Sequence, residues 1–461
     1  MAVHIKFHHN FIVPQICRYG STNFCQISNF SSYILFDILL TFLFDVLILK
    51  AYIHCNFQKA VKKRETKDMN IQTNLRDKIV NSVESNLPEL YRIRTYLYEN
   101  PEVGGEEEKS SRILIDTLRE HGFTVTEDFH KIPYCFKAVY DSQKPGPSIG
   151  LTCEYDALPQ IGHGCGHDII ATAPMGAAFA LQSILDETGG RIVLFGTPGE
   201  ECICSKVQLS DEGAFDEVDV VMTIHPSPSN MSSGATTAID AWQVEFYGKS
   251  AHAGFSPELG INALDAAVHF YTLIGFEKQY LQNTNIYGVF VDGGEKCSVI
   301  PDHASVKYLI RAKDMDTVEK IRSVFERCAD SACKAVGGGT YKIWQNEPAN
   351  KNMITNQTLS NVFNKYYEEL GGGFMPQVDN SGSTDMGNVS HIAPAIHPWL
   401  GMNCPDLILH SKEFADMTIT QEGDRVLKLG ALALAMTGTE VLTSPELLAD
   451  IKAEFANNTC R

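Results

Sequence analysis

Basic residues are scarce beside acidic ones: 38 lysines and arginines face 56 aspartates and glutamates, a formal charge of −18 over 461 residues. A phosphate backbone would repel so acidic a chain, which argues against a general nucleic-acid binder. A cationic or zwitterionic small substrate is compatible with it. Disulfide-like spacing is also missing. The 13 cysteines are odd in number and scattered, a usage typical of a reducing compartment in which most thiols act as small buried hydrophobes. A cytoplasmic protein is therefore expected. There is no repeat of fixed period, no low-complexity segment and no long uninterrupted apolar run. The nearest approach, Tyr33 to Leu49, is broken by Asp37 and Asp45. About a dozen strongly apolar residues at about −0.5 kcal/mol each favour insertion, and two aspartates at about +3 kcal/mol each cancel it, so a membrane span is marginal. The tract begins too late for a signal peptide, and its basic residues Lys59, Lys62, Lys63 and Arg64 follow it. Residues 1–70 read as a poorly ordered extension, with ordered structure from about Ile71.

Past that point the pattern is regular. Helical spacing covers Leu75 to Glu99, stopped by Pro101, and Glu106 to His121, stopped by Gly122. Strands are expected at Thr124–Glu127, Ser148–Thr152, Arg191–Gly196 and Val218–Ile224. Between them lies an Ala/Gly-rich helix from Ile169 to Leu185. Short continuous apolar strands alternating with helices imply an α/β layer whose parallel sheet is covered on both faces. From about Ala241 the order changes to strand (Trp242–Tyr247), helix (Asn262–Lys278), two strands (Ile286–Val291, Ala304–Arg311), helix (Asp316–Val336), strand (Thr340–Gln345). That is the split unit of a ferredoxin-like domain, inserted between two α/β stretches. Helix Leu359–Leu370, a polar loop Asp379–Gly387 and helix Thr420–Thr437 follow. The expected domains are 71–240 and 351–461, forming one catalytic unit, and 241–350, inserted as a lid or dimerisation module.

The chain is organised around Glu154-Tyr-Asp-Ala-Leu-Pro-Gln-Ile-Gly-His-Gly-Cys-Gly-His-Asp168. Glycines punctuate a turn between a strand and a helix, so Cys165 and His167 can point at one centre. Thiolate and imidazole are good ligands for zinc-like metals. A glycine-rich loop holding one buried Cys and one polar His is the plainer alternative. Gly196-Thr-Pro-Gly-Glu-Glu201 closes the next strand, where sites form in open α/β sheets. Two adjacent carboxylates there repel each other and call for a cation: one can ligate, the other can stay free as a base. By itself the pair would read as a solvated acidic loop. His225 ends the following strand, and His410 lies in Leu407-Ile-Leu-His-Ser. Cys165, His167, Glu201, His225 and His410 exceed one tetrahedral site and fit two neighbouring metals.

With these motifs in order over about residues 75–450, the chain resembles the aminoacylase–carnosinase family of co-catalytic metallopeptidases, peptidase family M-twenty. Tyr247-Gly-Lys-Ser-Ala-His-Ala and Ser381-Gly-Ser-Thr-Asp-Met-Gly-Asn add to the likeness. The branch resembled most is that of β-alanyl-lysine dipeptidases and bacterial p-aminobenzoyl-glutamate hydrolases. The resemblance implies a zinc-peptidase-like α/β catalytic domain with an inserted lid. It implies Cys165, His167, Glu201, His225 and His410 as ligands of two divalent ions, zinc or manganese, and Glu200 as general base. Asp156 would orient a ligand from behind the metals, and His252 would help to hold the oxyanion, often across a homodimer. Asn262 and Arg311 would bind the substrate's carboxylate, although helix starts favour Asn and strands carry exposed Arg. Two departures stand out. Cys202-Ile-Cys-Ser replaces the glycine run that relatives often carry after the second glutamate, and Asp168 stands where close relatives often have Asn.

The expected activity is metal-dependent hydrolysis of dipeptide-like amides, β-alanyl or γ-aminobutyryl dipeptides ending in a basic residue such as lysine or ornithine. The alternatives are an N-acyl-amino-acid or p-aminobenzoyl-glutamate amidohydrolase and a catalytically inactive metal-binding scaffold. A Cys165–His167 nucleophilic dyad is a weaker rival, because two residues that close in a tight turn look more like ligands than an attacking pair.

Overall fold

Continuous apolar strands with buried residues on both faces need a cover on each side, and the computed structural model supplies it. It describes residues 73–377 and 382–459. The apolar tract at 33–49, the rest of the 1–70 extension and residues 379–381 of the expected polar loop lie outside the described residues. One sheet has six strands in the order Thr124–Glu127, Phe136–Asp141, Arg191–Gly196, Ser148–Cys153, Val220–Met222, Ala395–Ile396. The last four are mutually parallel and the first two antiparallel. Along Arg191–Gly196, Ile192 and Leu194 join a core under the long helices, while Val193 and Phe195 join a second core with Leu209, Phe215, Met386 and Val389. The long helices on the first face are 73–99, His167–Gln182 and Gln421–Thr443. Each fully buried Leu, Ile or Phe there contributes about 1.5–3 kcal/mol.

The second sheet has four strands in the order Thr340–Asn350, Ala238–Tyr247, His303–Ala312, Asn285–Asp292, all antiparallel. In chain order this is strand-helix-strand-strand-helix-strand, with the helices Ala263–Glu277 and Met315–Ala335. Burial alternates along Ala238–Tyr247, where Trp242, Val244 and Phe246 pack on Phe270, Tyr308 and Phe325 in a separate core. Both helices start on side-chain caps: Asn262 Oδ1 accepts from Leu264 N and Asp265 N, and Asp314 accepts from Thr317 N.

Several elements differ from the sequence expectations. Strand Phe136–Asp141 is absent from them; only its Phe136 and Ala138 are fully buried, so it lacks the continuous apolar signal of its neighbours. The expected Val218–Ile224 strand narrows to Val220–Met222, and a short strand His225–Ser227 follows it. The expected helix to Leu185 breaks at Gln182 and resumes as Leu185–Thr188. Helix Met386–Ser390 begins inside the segment read as polar loop. Helix Pro445–Thr459 extends the chain beyond the last expected helix.

Candidate metal centre

Strand Ser148–Cys153 ends at Glu154, and the chain turns through the glycine-rich stretch before entering helix His167–Gln182. Two glycines are required by contact. A Cβ on Gly164 would meet Ile161 Cγ2 at 2.6 Å and the Ser411 carbonyl at 3.1 Å. One on Gly166, where φ is +79°, would meet Pro226 Cγ at 2.4 Å. The turn is thus pressed between the segments that carry His225 and His410. His410 has a φ of +62°, and its N–H donates to the Gly164 carbonyl at 2.9 Å. Ser411 caps helix Lys412–Thr418 immediately after it.

All five expected ligands converge. Donor atoms of Cys165, His167 and His225 lie within 4.8 Å of one another; so do those of Cys165, Glu201 and His410, and those of His167, Glu200 and Glu201. Cys165 Sγ is 3.4 Å from His225 Nε2, and His410 Nε2 is 3.0 Å from Glu201 Oε1. Glu200 therefore stands beside the ligands, where a base would be needed.

The donor set fits divalent cations. His167 Nδ1 lies 2.9 Å from Asp156 Oδ1, which leaves its buried Nε2 facing the group without a hydrogen-bond partner. His225 directs Nδ1 to the Pro226 carbonyl at 2.6 Å, so its Nε2 is likewise turned inward. Burial opposes charge on His167, but Asp156 outweighs it and raises the imidazole well above its usual range; a bound cation would take the place of that proton. Burial pushes Glu200 well above the usual carboxylate range, helped by Glu154, Asp385 and Glu201. Burial also opposes the charge on Asp156, yet His167 and the N–H groups of Glu201 and Glu200 hold it at about 2. Such a concentration of buried carboxylates calls for more positive charge than the fold provides.

Asp156 joins two motifs: Oδ1 meets His167, and Oδ2 accepts from Glu201 N at 3.1 Å. Arg311, on strand His303–Ala312, donates from Nη1 to Ser383 Oγ at 3.0 Å. It lines a cleft of about 180 Å³ with Glu200, Glu201, Glu347 and Asn350. Two expected residues are not brought to the cluster. The amide oxygen of Asn262 is engaged in its helix cap. His252 is exposed on the short strand Ala251–His252 beside the second sheet, and its Nδ1 accepts from Gly254 N at 3.2 Å.

The departures acquire physical reasons. Asp168 faces away from the metal group and accepts from Thr418 Oγ1 at 2.5 Å, which ties the motif helix to the helix after His410. Cys202, Ile203 and Cys204 all direct their N–H groups to the Gly199 carbonyl, and Cys204 has a φ of +47°, a conformation glycine would adopt without strain.

Sequence reasoning overlooks Lys206. It is fully buried, with Nζ 2.8 Å from Glu154 and 2.6 Å from Asp385. It joins the Glu154 motif, the helix Ser205–Asp211 behind Glu200-Glu201, and the Asp385 segment. His397 is overlooked too: it is buried beside His225 and Trp399, with neither ring nitrogen hydrogen-bonded. Glu154 and Asp385 already stand in the quoted motifs, whereas nothing in the sequence marks Lys206 or His397.

Known proteins resemble the chain in sequence and in fold. Residues 235–336 match the family model described as a peptidase dimerisation domain. The chain is 34% identical over 338 residues to a Xaa-Arg dipeptidase of Mus musculus, covering 70% of this chain and 78% of the mouse protein. It is 31% identical to a p-aminobenzoyl-glutamate hydrolase polypeptide of Escherichia coli, covering 64% and 65% of the two chains. Among solved structures, a dinuclear metal-binding peptidase from Bacillus subtilis superposes with a TM-score of 0.58 at 19% identity, covering 78% of this chain and 99% of that one.

Proposed function

The chain belongs to the M-twenty family of metallopeptidases and is a metal-dependent dipeptidase or amidohydrolase; from that premise we propose that it cleaves dipeptide-like amides ending in a basic residue. The acyl side would be β-alanyl or γ-aminobutyryl, and the leaving residue lysine, ornithine or arginine. The observation that carries this reading is the convergence of five ligand side chains with Glu200 beside them, at a cleft that also holds Arg311. The name of the mouse relative supports a cationic C-terminal residue. The proposed compartment is the cytosol.

Cys165, His167, Glu201, His225 and His410 would hold two divalent ions, zinc or manganese. Such ions supply Lewis acidity to a scissile carbonyl and to a water molecule. Glu200 accepts the proton of the attacking water and returns it to the leaving amine, with Asp156 keeping His167 in its ligating orientation. Arg311 takes the substrate's carboxylate. His252 donates to the oxyanion from the second subunit of a homodimer. Supporting the dimer, Asn285–Asp292 is an edge strand of its sheet, with Tyr287, Val289, Phe290 and Val291 exposed and Phe290 against Tyr271 of the neighbouring helix. An exposed apolar edge of that kind asks for a partner strand.

The test is a substrate panel on the metal-loaded protein. β-Alanyl-lysine, β-alanyl-ornithine and γ-aminobutyryl-lysine should be hydrolysed at least tenfold more efficiently than N-acetyl-amino acids or p-aminobenzoyl-glutamate. The reverse order would establish the amidohydrolase alternative. Metal binding with hydrolysis of none of these compounds would make the protein a scaffold.

A further inference from the structure

We propose that Glu347 is the residue that selects a cationic side chain on the leaving amino acid; this rests on the dipeptidase reading above and locates its specificity. Besides Glu200, Glu201 and the hydrogen-bonded Asp240, the cleft is lined by two charged side chains without an ionic partner among the described residues, and they are of opposite sign. Arg311 donates only to the Ser383 hydroxyl. Glu347 has only the Asn346 amide near it, at 3.5 Å. They form no ion pair with each other, so two complementary charges line one cleft of about 180 Å³. A ligand carrying a carboxylate at one end and a cation at the other satisfies both.

Glu347 reaches the cleft at an irregularity of the backbone; its side chain is exposed and borders a second, more open recess as well. Strand Thr340–Asn350 pairs regularly with Ala238–Tyr247 as far as Gln345 opposite Trp242, but Glu347 already stands opposite Ala241. Two residues on one strand thus face one step on the other. A bulge of this kind re-aims side chains and is frequent beside active sites. Pro348 follows, with no N–H to draw the strand back into the ladder. The cleft's other non-catalytic carboxylate, Asp240, is already engaged. It accepts from Trp242 Nε1 at 2.6 Å, from Gln345 Nε2 at 3.0 Å and from Ala241 N at 2.8 Å. Glu200 and Glu201 belong to the metal group. Glu347 is what remains for the substrate's cation. The same charge pattern disfavours a leaving glutamate, whose second carboxylate would approach Glu347 with no second free cation in the cleft lining.

The experiment compares two ligands that differ only in the cation. Calorimetric binding of Nα-acetyl-lysine and Nα-acetyl-norleucine is measured on the metal-loaded full chain, alongside kcat/KM for β-alanyl-lysine and β-alanyl-norleucine. The wild type should prefer the lysine compounds about tenfold or more, the size of one hydrogen bond to a charged group. In Glu347→Gln the lysine-to-norleucine ratio should fall toward one, and in Glu347→Lys it should invert, with melting temperatures confirming that both variants fold. A ratio unchanged in Glu347→Gln, or a wild type without preference in binding, would overturn the assignment. A lysine preference in binding without hydrolysis of either dipeptide would leave this assignment standing and overturn the proposed activity instead.

Discussion

Replacing Lys206 by methionine keeps the length of the side chain and removes its charge. In the structure that charge is fully buried and bonded to Asp385 at 2.6 Å and to Glu154 at 2.8 Å, both carboxylates being buried as well. The variant leaves Asp385 without a cation and Glu154 with only His167, 3.5 Å away, next to Glu200. Removing one partner of a buried ion pair costs about 3–5 kcal/mol. For a protein of this size the thermal midpoint at pH 8 should fall by roughly 4–6 °C. The sign of the pH response follows: the orphaned carboxylates recover part of the loss by taking up protons, so the gap between variant and wild type should narrow as pH falls from 8 to 5. Differential scanning calorimetry across that range measures both effects. Lys206→Arg, which keeps the charge in a larger head, should lose less than Lys206→Met. A methionine variant that melts within about 2 °C of the wild type at pH 8, or a gap that widens on acidification, would refute the argument that this cation organises the site.

Glu200→Gln should keep its metal content while turnover falls about 10²–10⁴-fold; Glu201→Gln should lose metal, and equal loss in both by elemental analysis would abolish the distinction between base and ligand. Val289→Lys on the exposed edge strand should shift the chain toward monomer in analytical ultracentrifugation. Mixing inactive His252→Ala with inactive Glu200→Gln should restore activity if His252 acts in trans; no recovery after confirmed subunit exchange would place it in cis or outside the mechanism. Glu107 is fully buried, and burial, followed by Asp156, pushes it up to about 7 from 4.5. A raised carboxyl stabilises the fold below its unfolded pKa and loses that contribution as pH rises through about 7. Glu107→Gln should therefore gain up to about 3 kcal/mol over the wild type between pH 4.5 and pH 8 in denaturant titrations of chelated protein.

Much of the centre was legible because its ligands come from local grammar. Cys165 and His167 sit in a glycine turn, and Glu201 and His225 follow closely on the apolar strands Arg191–Gly196 and Val220–Met222, so each signal is local. The order of elements along the chain in the second sheet's module was legible for the same reason, since its helices and most of its strands are long enough to show a pattern. Lys206 shows where local reading stops: a lysine on a short helix reads as solvated, and only closure onto Asp385, 179 residues away, buries it. Strands Ala395–Ile396 and Trp399–Gly401 are too short to have a period. Helix Pro445–Thr459 did carry a signal, Ser444-Pro-Glu, with Ser444 Oγ accepting from Leu447 N.

The bond from Thr418 to Asp168 spans 250 residues, and it closes the same seam as the His410 contact to Gly164. On a ribosome adding about 5–20 residues per second, that span takes roughly 12–50 seconds to make. For that interval the nascent chain carries Cys165, His167, Glu201 and His225 in their final sequence context but without the segment that presses the turn shut. The turn that carries Cys165 and His167 is thus closed by His410 and Thr418 only late in synthesis. Slowing elongation between the two segments lengthens the time in which the Cys165 thiol stands open to oxidants.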